Sequence, residues 1–320
     1  MPSLIIRAAA SVLLVAATLI SMSLTAAAQD KVVRIGYQKS STLLTILKSR
    51  GTLEAGLKPL GYSLTWNEFT SGLPLLEALN VGAIDVSADV ADTVPVFAQA
   101  AGAKLTYIAQ EAPSPSAQAI VVPAGSPITQ VADLKGKKVA VTKAAGVHYL
   151  LIATLEKAGL SFKDIEPAYL TPADARAALE NGSVAAWVTW DPFLAAVQQQ
   201  AKARILADGK GVADYQRYYL AATPFAEGNP KAIAFIFDEL QKTGKWVKDN
   251  PAEAATLLAP LWGLDAAIVT QANERRSYAV RAVLPANLGE QQRIADIFQT
   301  AGLLPKKIDA TDVPIWKPGS

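Results

Sequence analysis

The side chains that could do chemistry are few, and their scarcity is informative. His148 is the single histidine and cysteine is absent, which excludes thiol catalysis, disulfides, thiolate metal sites and multi-histidine metal clusters. A Ser-His-Asp arrangement would have to recruit His148 from a predicted helix start. The plainer expectation is an imidazole at the surface or at a pocket edge. No glycine-rich phosphate loop follows a strand, and the acids Asp85, Asp89 and Asp92 lack calcium-loop spacing. The expectation is a chain without catalysis, cofactor or bound metal.

What remains suits the holding of an anion. Helix N-termini carry unpaired N–H groups and a positive partial charge, so they can hold anions without a buried lysine. Ser40, Ser41 and Thr42 follow a predicted first strand, where hydroxyls and amides could converge on oxyanion oxygens. Ordinary helix capping is the competing role. Gln38 and Lys39 stand at the same strand edge. Trp190-Asp191-Pro192 sets an indole and a carboxylate at another strand edge. The indole could cover the apolar body of a ligand, or simply pack in the core. Trp66, Trp246, Trp262 and Trp316 read as core or surface-packing residues.

The elements that position these groups alternate. Val32 to Gly36, Tyr62 to Phe69, Ile84 to Ser87 and Lys104 to Ala109 are predicted strands, with helical runs between them. Residues 111–116 hold two prolines and two serines, a composition break that reads as a crossing between lobes. Beyond it strands are predicted at 137–142, 165–170 and 184–188. Thr171-Pro172-Ala173-Asp174 is a strong helix start, and so is Asn250-Pro251 with Glu253. The aromatic run from Tyr215 to Leu220 reads as a strand returning to the first lobe. The fold class is therefore α/β with mainly parallel sheets in two lobes, residues 29–115 with 218–320 and residues 116–217. The stretches Leu79-Asn80-Val81-Gly82 and Leu179-Glu180-Asn181-Gly182 echo each other as helix end and turn before a strand. Ligands of open α/β sheets bind at the carboxyl ends of strands, so two facing edges would make one interlobe cleft.

Compartment and partners are bounded by the rest. Arg7 is the only charge before Asp30, an apolar stretch runs from Ala8 to Leu24, and Ala26-Ala27-Ala28 offers a small-x-small cleavage pattern. Residues 1–28 read as a signal peptide cleaved after Ala28. Without Arg7 the balance is 29 basic against 28 acidic residues, which argues against nucleic acid as a partner. No later apolar run reaches membrane-spanning length, and nothing advertises an oligomer seam, so a monomer is expected.

The chain resembles the periplasmic aliphatic-sulfonate-binding proteins of ABC importers. The resemblance rests on Ile35-Gly36-Tyr37-Gln38-Lys39, Leu76-Glu77-Ala78-Leu79-Asn80-Val81-Gly82, Pro95-Val96-Phe97-Ala98-Gln99-Ala100-Ala101-Gly102 and Val131-Ala132-Asp133-Leu134-Lys135-Gly136-Lys137. Tyr169-Leu170-Thr171-Pro172-Ala173-Asp174, Trp190-Asp191-Pro192, Arg275-Arg276-Ser277-Tyr278 and Val313-Pro314-Ile315-Trp316 extend it over nearly the whole chain after the leader. It implies a type II periplasmic-binding-protein fold with a hinge of two crossing strands, a small organic anion as ligand, and an ABC permease and ATPase as partners. It points to Gln38 and Ser40 on one lobe, Trp190 and Asp191 on the other, and Arg276 in the C-terminal stretch. Two loops depart from the family pattern. After Thr142 and Lys143 the loop reads Ala144-Ala145-Gly146-Val147 ahead of His148, without the usual hydroxyls. A buried oxyanion missing one partner costs about 1–3 kcal/mol. The turn containing Asp89 and Asp92 is one residue longer than in the family, and an inward Asp89 would favour a ligand that also carries an amine. The expected ligand set is Gln38, Ser40, Ser41, Asp89, Asp92, Thr142, Lys143, Ala144, His148, Trp190, Asp191 and Arg276. Nitrate, a sulfate ester, an aromatic acid or a thiamine-precursor pyrimidine are alternative ligands, and an enzyme on the same fold is the remaining alternative.

Overall fold

The computed structural model describes residues 31–319, so the expected leader at 1–28 lies outside the described residues. Strands β1 (Lys31–Gln38), β2 (Tyr62–Phe69), β3 (Val86–Ala91) and β4 (Leu105–Glu111) alternate with helices. They are followed by β5 (Gln118–Val122), β6 (Lys138–Val141), β7 (Glu166–Tyr169), β8 (Ala186–Trp190) and β9 (Arg204–Asp208), then by β10 (Arg217–Ala222) and β11 (Val280–Arg281).

Two mixed sheets result, ordered β11-β4-β10-β3-β1-β2 and β7-β6-β8-β5-β9. Where a helix returns the chain, pairing is parallel: β1 with β2 and β3, β6 with β7 and β8. Each sheet also receives one antiparallel strand from the other. β5 enters between β8 and β9, and β10 returns between β3 and β4. Strand directions are thus mainly parallel, whereas the pairings are mixed. The sequence reading has no strand at 118–122 or 204–208, because both are short and uniformly buried or half-buried, without alternation.

Two strand positions move relative to expectation. β3 starts at Val86 and is buried throughout, so Asp89 lies inside a central strand rather than in the turn after it. The return strand begins at Arg217, and Tyr215 precedes it in the left-handed region at φ 53°. The crossings at 112–117 and 209–216 bond to each other, Gly209 N–H to Pro115 O at 3.0 Å and Ser114 N–H to Asp214 O at 3.0 Å.

Apolar clusters fill both faces of each sheet. The cluster beneath the second sheet also takes in Val96 from the helix Thr93–Ala100, and Ile294 and Phe298 from the helix Gly289–Thr300. Part of the C-terminal segment therefore packs on the second sheet's helices as well as on the first sheet. Phe298 sits 4.9 Å from Phe97 and 5.0 Å from His148 between ring centroids.

Candidate ligand-binding site

A narrow cavity of about 20 Å³ lies where strand ends of the two sheets meet. Gln38 closes β1, Ala91 closes β3 and Trp190 closes β8, and all three line it with Tyr215 and Arg217 from the return crossing. The remaining wall is made by Gly72, Val94, Ala145 and Gly146. Gly72 and Gly146 are the first residues of the helices Gly72–Asn80 and Gly146–Lys157, and neither helix has a side-chain cap. Their first-turn N–H groups and positive ends stand at the cavity wall, an arrangement suited to an anion.

Glycine is required there by close approach. A Cβ on Gly146 would meet Ala91 Cβ and Tyr215 Cε2 at 2.8 Å, and one on Gly72 would meet Val94 Cγ2 at 2.9 Å. Ala91 ends β3 of the first sheet and Gly146 opens a helix packed on the second, so this contact measures how tightly the two walls close. Just before the second helix, Ala144 adopts φ 56° and donates its N–H to His148 Nδ1 at 3.2 Å. Non-glycine residues at positive φ cost free energy and collect at functional sites. Ala144 and Tyr215 both do so here.

The expected ligand residues fall in different places. Gln38 and Trp190 line the cavity. Gln38 donates to the Asp89 carbonyl at 3.1 Å, and Trp190 Nε1 donates to Ser40 Oγ at 3.4 Å, which bridges the two sheets just behind the wall. Ser41 Oγ is spent locally, accepting from Gln38 N–H at 3.1 Å. Thr142 and Lys143 line a neighbouring cavity of about 230 Å³, with Ser71, Leu73 and Tyr169. Thr142 Oγ1 there donates to Leu170 O at 3.1 Å.

His148 departs from expectation. It is neither at the surface nor at a pocket edge; it is 1% exposed, among Phe162, Tyr169 and Phe298. Burial first, and then Lys143, pushes its pKa down to about 3, so the ring is neutral and acts as an acceptor that shapes the Ala144 turn. The sequence placed it on the correct helix but could not give the aromatic partners, which come from three other elements.

Asp89, Asp92, Asp191 and Arg276 stand behind the wall rather than on it. Asp89 is 0% exposed. Its Oδ2 accepts from Arg217 Nε at 2.5 Å and from Arg276 Nη2 at 3.2 Å. The carboxylate is thus taken by two guanidinium groups, and the expected preference for a ligand amine loses its basis. Arg276 Nη2 also donates to both Glu111 oxygens at 2.7 and 2.6 Å, and Glu111 accepts from Tyr219 at 2.8 Å. Burial works against both arginine charges, but Tyr215 and Asp89 outweigh it at Arg217, and Glu111 and Asp89 at Arg276, raising both pKa values. Asp92 accepts from Thr93 N–H at 2.9 Å and Gln216 N–H at 3.0 Å. Asp191 accepts from Ala195 N–H at 3.0 Å and pairs with Arg275 at 3.1 Å. Burial, the largest cause for each, pushes both carboxyls up to about 7.

Sequence reasoning missed Tyr215, Arg217 and Glu111. The usable signal was an arginine inside the aromatic run Tyr215-Gln216-Arg217-Tyr218-Tyr219. A charge in a strand patterned for burial must find a partner or a function. Gly72, Val94 and Gly146 carried no chemical signal at all.

The chain matches the family model described as NMT1/THI5 like over residues 64–254. An aliphatic sulfonates-binding relative from Escherichia coli is 40% identical over 306 residues, covering 94% of this chain and 95% of its own. The chain belongs to this family. The crystal structure of the periplasmic aliphatic sulphonate binding protein from Escherichia coli is 41% identical with a TM-score of 0.81, covering 89% of this chain and 97% of that one. The alkanesulfonate-binding protein from Xanthomonas axonopodis pv. citri, bound to MOPS, is 38% identical with a TM-score of 0.82, covering 88% and 97%. The type II periplasmic-binding-protein fold expected for the family is the fold observed.

Proposed function

We propose that this chain is the exported receptor of an ABC importer and closes the cleft between its lobes on an aliphatic sulfonate. The observation that carries the reading is the cavity wall itself. Two uncapped helix N-termini, at Gly72 and Gly146, meet the amide of Gln38 and the indole of Trp190 in one enclosed space. Helix termini and amide donors suit a tetrahedral oxyanion, and the indole with Val94 and Ala91 suits a short apolar chain. MOPS, carried by the Xanthomonas relative, is a sulfonate on a three-carbon chain, which agrees with this division of the wall.

In this reading the lobes are residues 29–115 with 218–320, and residues 116–217, hinged at the paired crossings. The leader is cleaved after Ala28, and the closed monomer is what a permease with its ATPase recognises. The chain binds without turning its ligand over. Closure buries the ligand and sheds its water, and the approach of Gly146 to Ala91 marks the end of that motion. Calorimetry of the mature protein with ethanesulfonate, longer alkanesulfonates, taurine, nitrate and sulfate tests the ligand. Ethanesulfonate and its homologues are expected to bind. Binding of nitrate alone would sink the sulfonate reading, and turnover of any sulfonate ester would restore the enzyme.

A further inference from the structure

Behind the cavity wall lie four buried charges that cancel. Arg217 is the member that lines the cavity, and each of its three guanidinium nitrogens already has a partner. Nε meets Asp89 Oδ2 at 2.5 Å, Nη1 donates to Tyr215 Oη at 2.7 Å and Nη2 reaches the Asp89 carbonyl at 3.5 Å. Asp89 leads on to Arg276, and Arg276 to Glu111. All four side chains are at most 3% exposed. Two guanidinium groups against two carboxylates leave no net charge. Lys248 donates to the backbone carbonyls of Arg276 at 2.7 Å and Asn273 at 3.3 Å rather than to either carboxylate.

An anion beside Arg217 therefore meets helix termini and neutral donors backed by a compensated cluster. The cost of taking an anion out of water grows with the square of its charge, whereas attraction to a fixed charge grows only in proportion to it. A wall of zero net charge can repay the removal of a monoanion from water through hydrogen bonds. Its helix ends and donors respond only in proportion to charge, so they offset a smaller share of the fourfold cost of a compact dianion. We propose that Asp89 is a specificity-determining residue: by neutralising Arg217 it restricts the ligand to one negative charge and rejects dianions such as sulfate. This rests on the reading of the cavity as the sulfonate site.

The test is a charge ladder of ligands on one two-carbon frame: taurine with no net charge, ethanesulfonate with one negative charge and ethane-1,2-disulfonate with two. Affinities are measured by calorimetry at one fixed pH, since Asp92 nearby titrates at about 7. Relative to the unmodified protein, Asp89→Asn leaves the cluster one charge positive. It is expected to tighten ethanesulfonate about tenfold and the disulfonate about a hundredfold, with taurine unchanged within about threefold. The double variant Asp89→Asn with Arg276→Gln restores zero net charge and should return the ladder to its original order. A purely structural Asp89 would weaken all three ligands alike, and that outcome overturns the proposal. If Asp89→Asn does not fold, Glu111→Gln removes the other carboxylate, farther from the cavity. It should give the same dependence on ligand charge with a smaller slope, and a flat response there overturns the proposal equally. Failure of the unmodified protein to bind ethanesulfonate would instead remove the sulfonate reading, and this inference with it.

Discussion

On the first sheet β3 runs into Asp92, and on the second β8 runs into Asp191. Each carboxylate is buried, each accepts from a backbone N–H of the helix that follows, and each is pushed up to about 7. Each backbone is also tied to a crossing, Asp92 N–H to Gln216 O and Asp191 N–H to Ala117 O. The difference lies in what answers the charge. Asp191 pairs with Arg275, whereas Asp92 has only neutral donors, two N–H groups and the Thr93 hydroxyl, with Glu290 pushing the same way as burial. One residue after Arg275, Arg276 turns instead into the first sheet's buried cluster. Neighbouring arginines thus serve the two walls. The first wall is backed by a closed set of ions, the second by an aromatic face and a single half-screened ion pair.

The largest effect should come from the closed set. Arg276→Met leaves Asp89 and Glu111 with one buried cation between them and is expected to cost about 3–5 kcal/mol in urea unfolding. Arg275→Met should cost only about 1–2 kcal/mol, since Asp191 can take up a proton instead. Equal losses would erase the contrast between the walls. Next, Trp190→Ala removes the aromatic face. Affinity for ethanesulfonate should fall by more than about tenfold, with about 3 kcal/mol lost in stability.

Gly146→Ala probes closure rather than either wall. Its Cβ would meet Ala91 across the cleft and Tyr215 within its own lobe, each at 2.8 Å, so affinity should fall about tenfold with a smaller loss in the melting temperature of the ligand-free protein. A matching loss in the ligand-free protein would make Gly146 a packing residue alone. The last contrast concerns pH. Asp92 and Asp191 bind protons more tightly folded than unfolded, from an ordinary 3.8 up to about 7, so together they make stability fall as pH rises from about 4 to about 7. His148 works the other way. Its pKa drops from 6.5 to about 3 on folding, so its contribution rises with pH across that window. Denaturation across pH 4–7 should show a net decline, halved or reversed by Asp92→Asn and steepened by His148→Phe.

Much of the fold was legible because the signals are local. The helix start at Thr171-Pro172-Ala173-Asp174 appears as read, with Thr171 Oγ1 accepting from Asp174 N–H at 3.3 Å. Such capping acts within three or four residues, and so does the apolar periodicity that marks the strands and helices. Of the site, Gln38 and Trp190 were legible as strand-edge residues. Arg217 was not, because nothing within a few residues reveals that it pairs with Asp89 across 128 positions of sequence.

By itself the sequence determined the alternation of strands and helices, the composition break at 111–116, and the absence of thiol or multi-histidine chemistry. These follow from residue type and short-range pattern. Only the tertiary structure decided which charges meet which, that His148 is a core acceptor, and that Gly72 and Gly146 must be bare where the walls close. Those outcomes depend on how the crossing strands β5 and β10 insert into sheets begun by other segments. Burial then forces each enclosed charge to find whatever partner that insertion supplies.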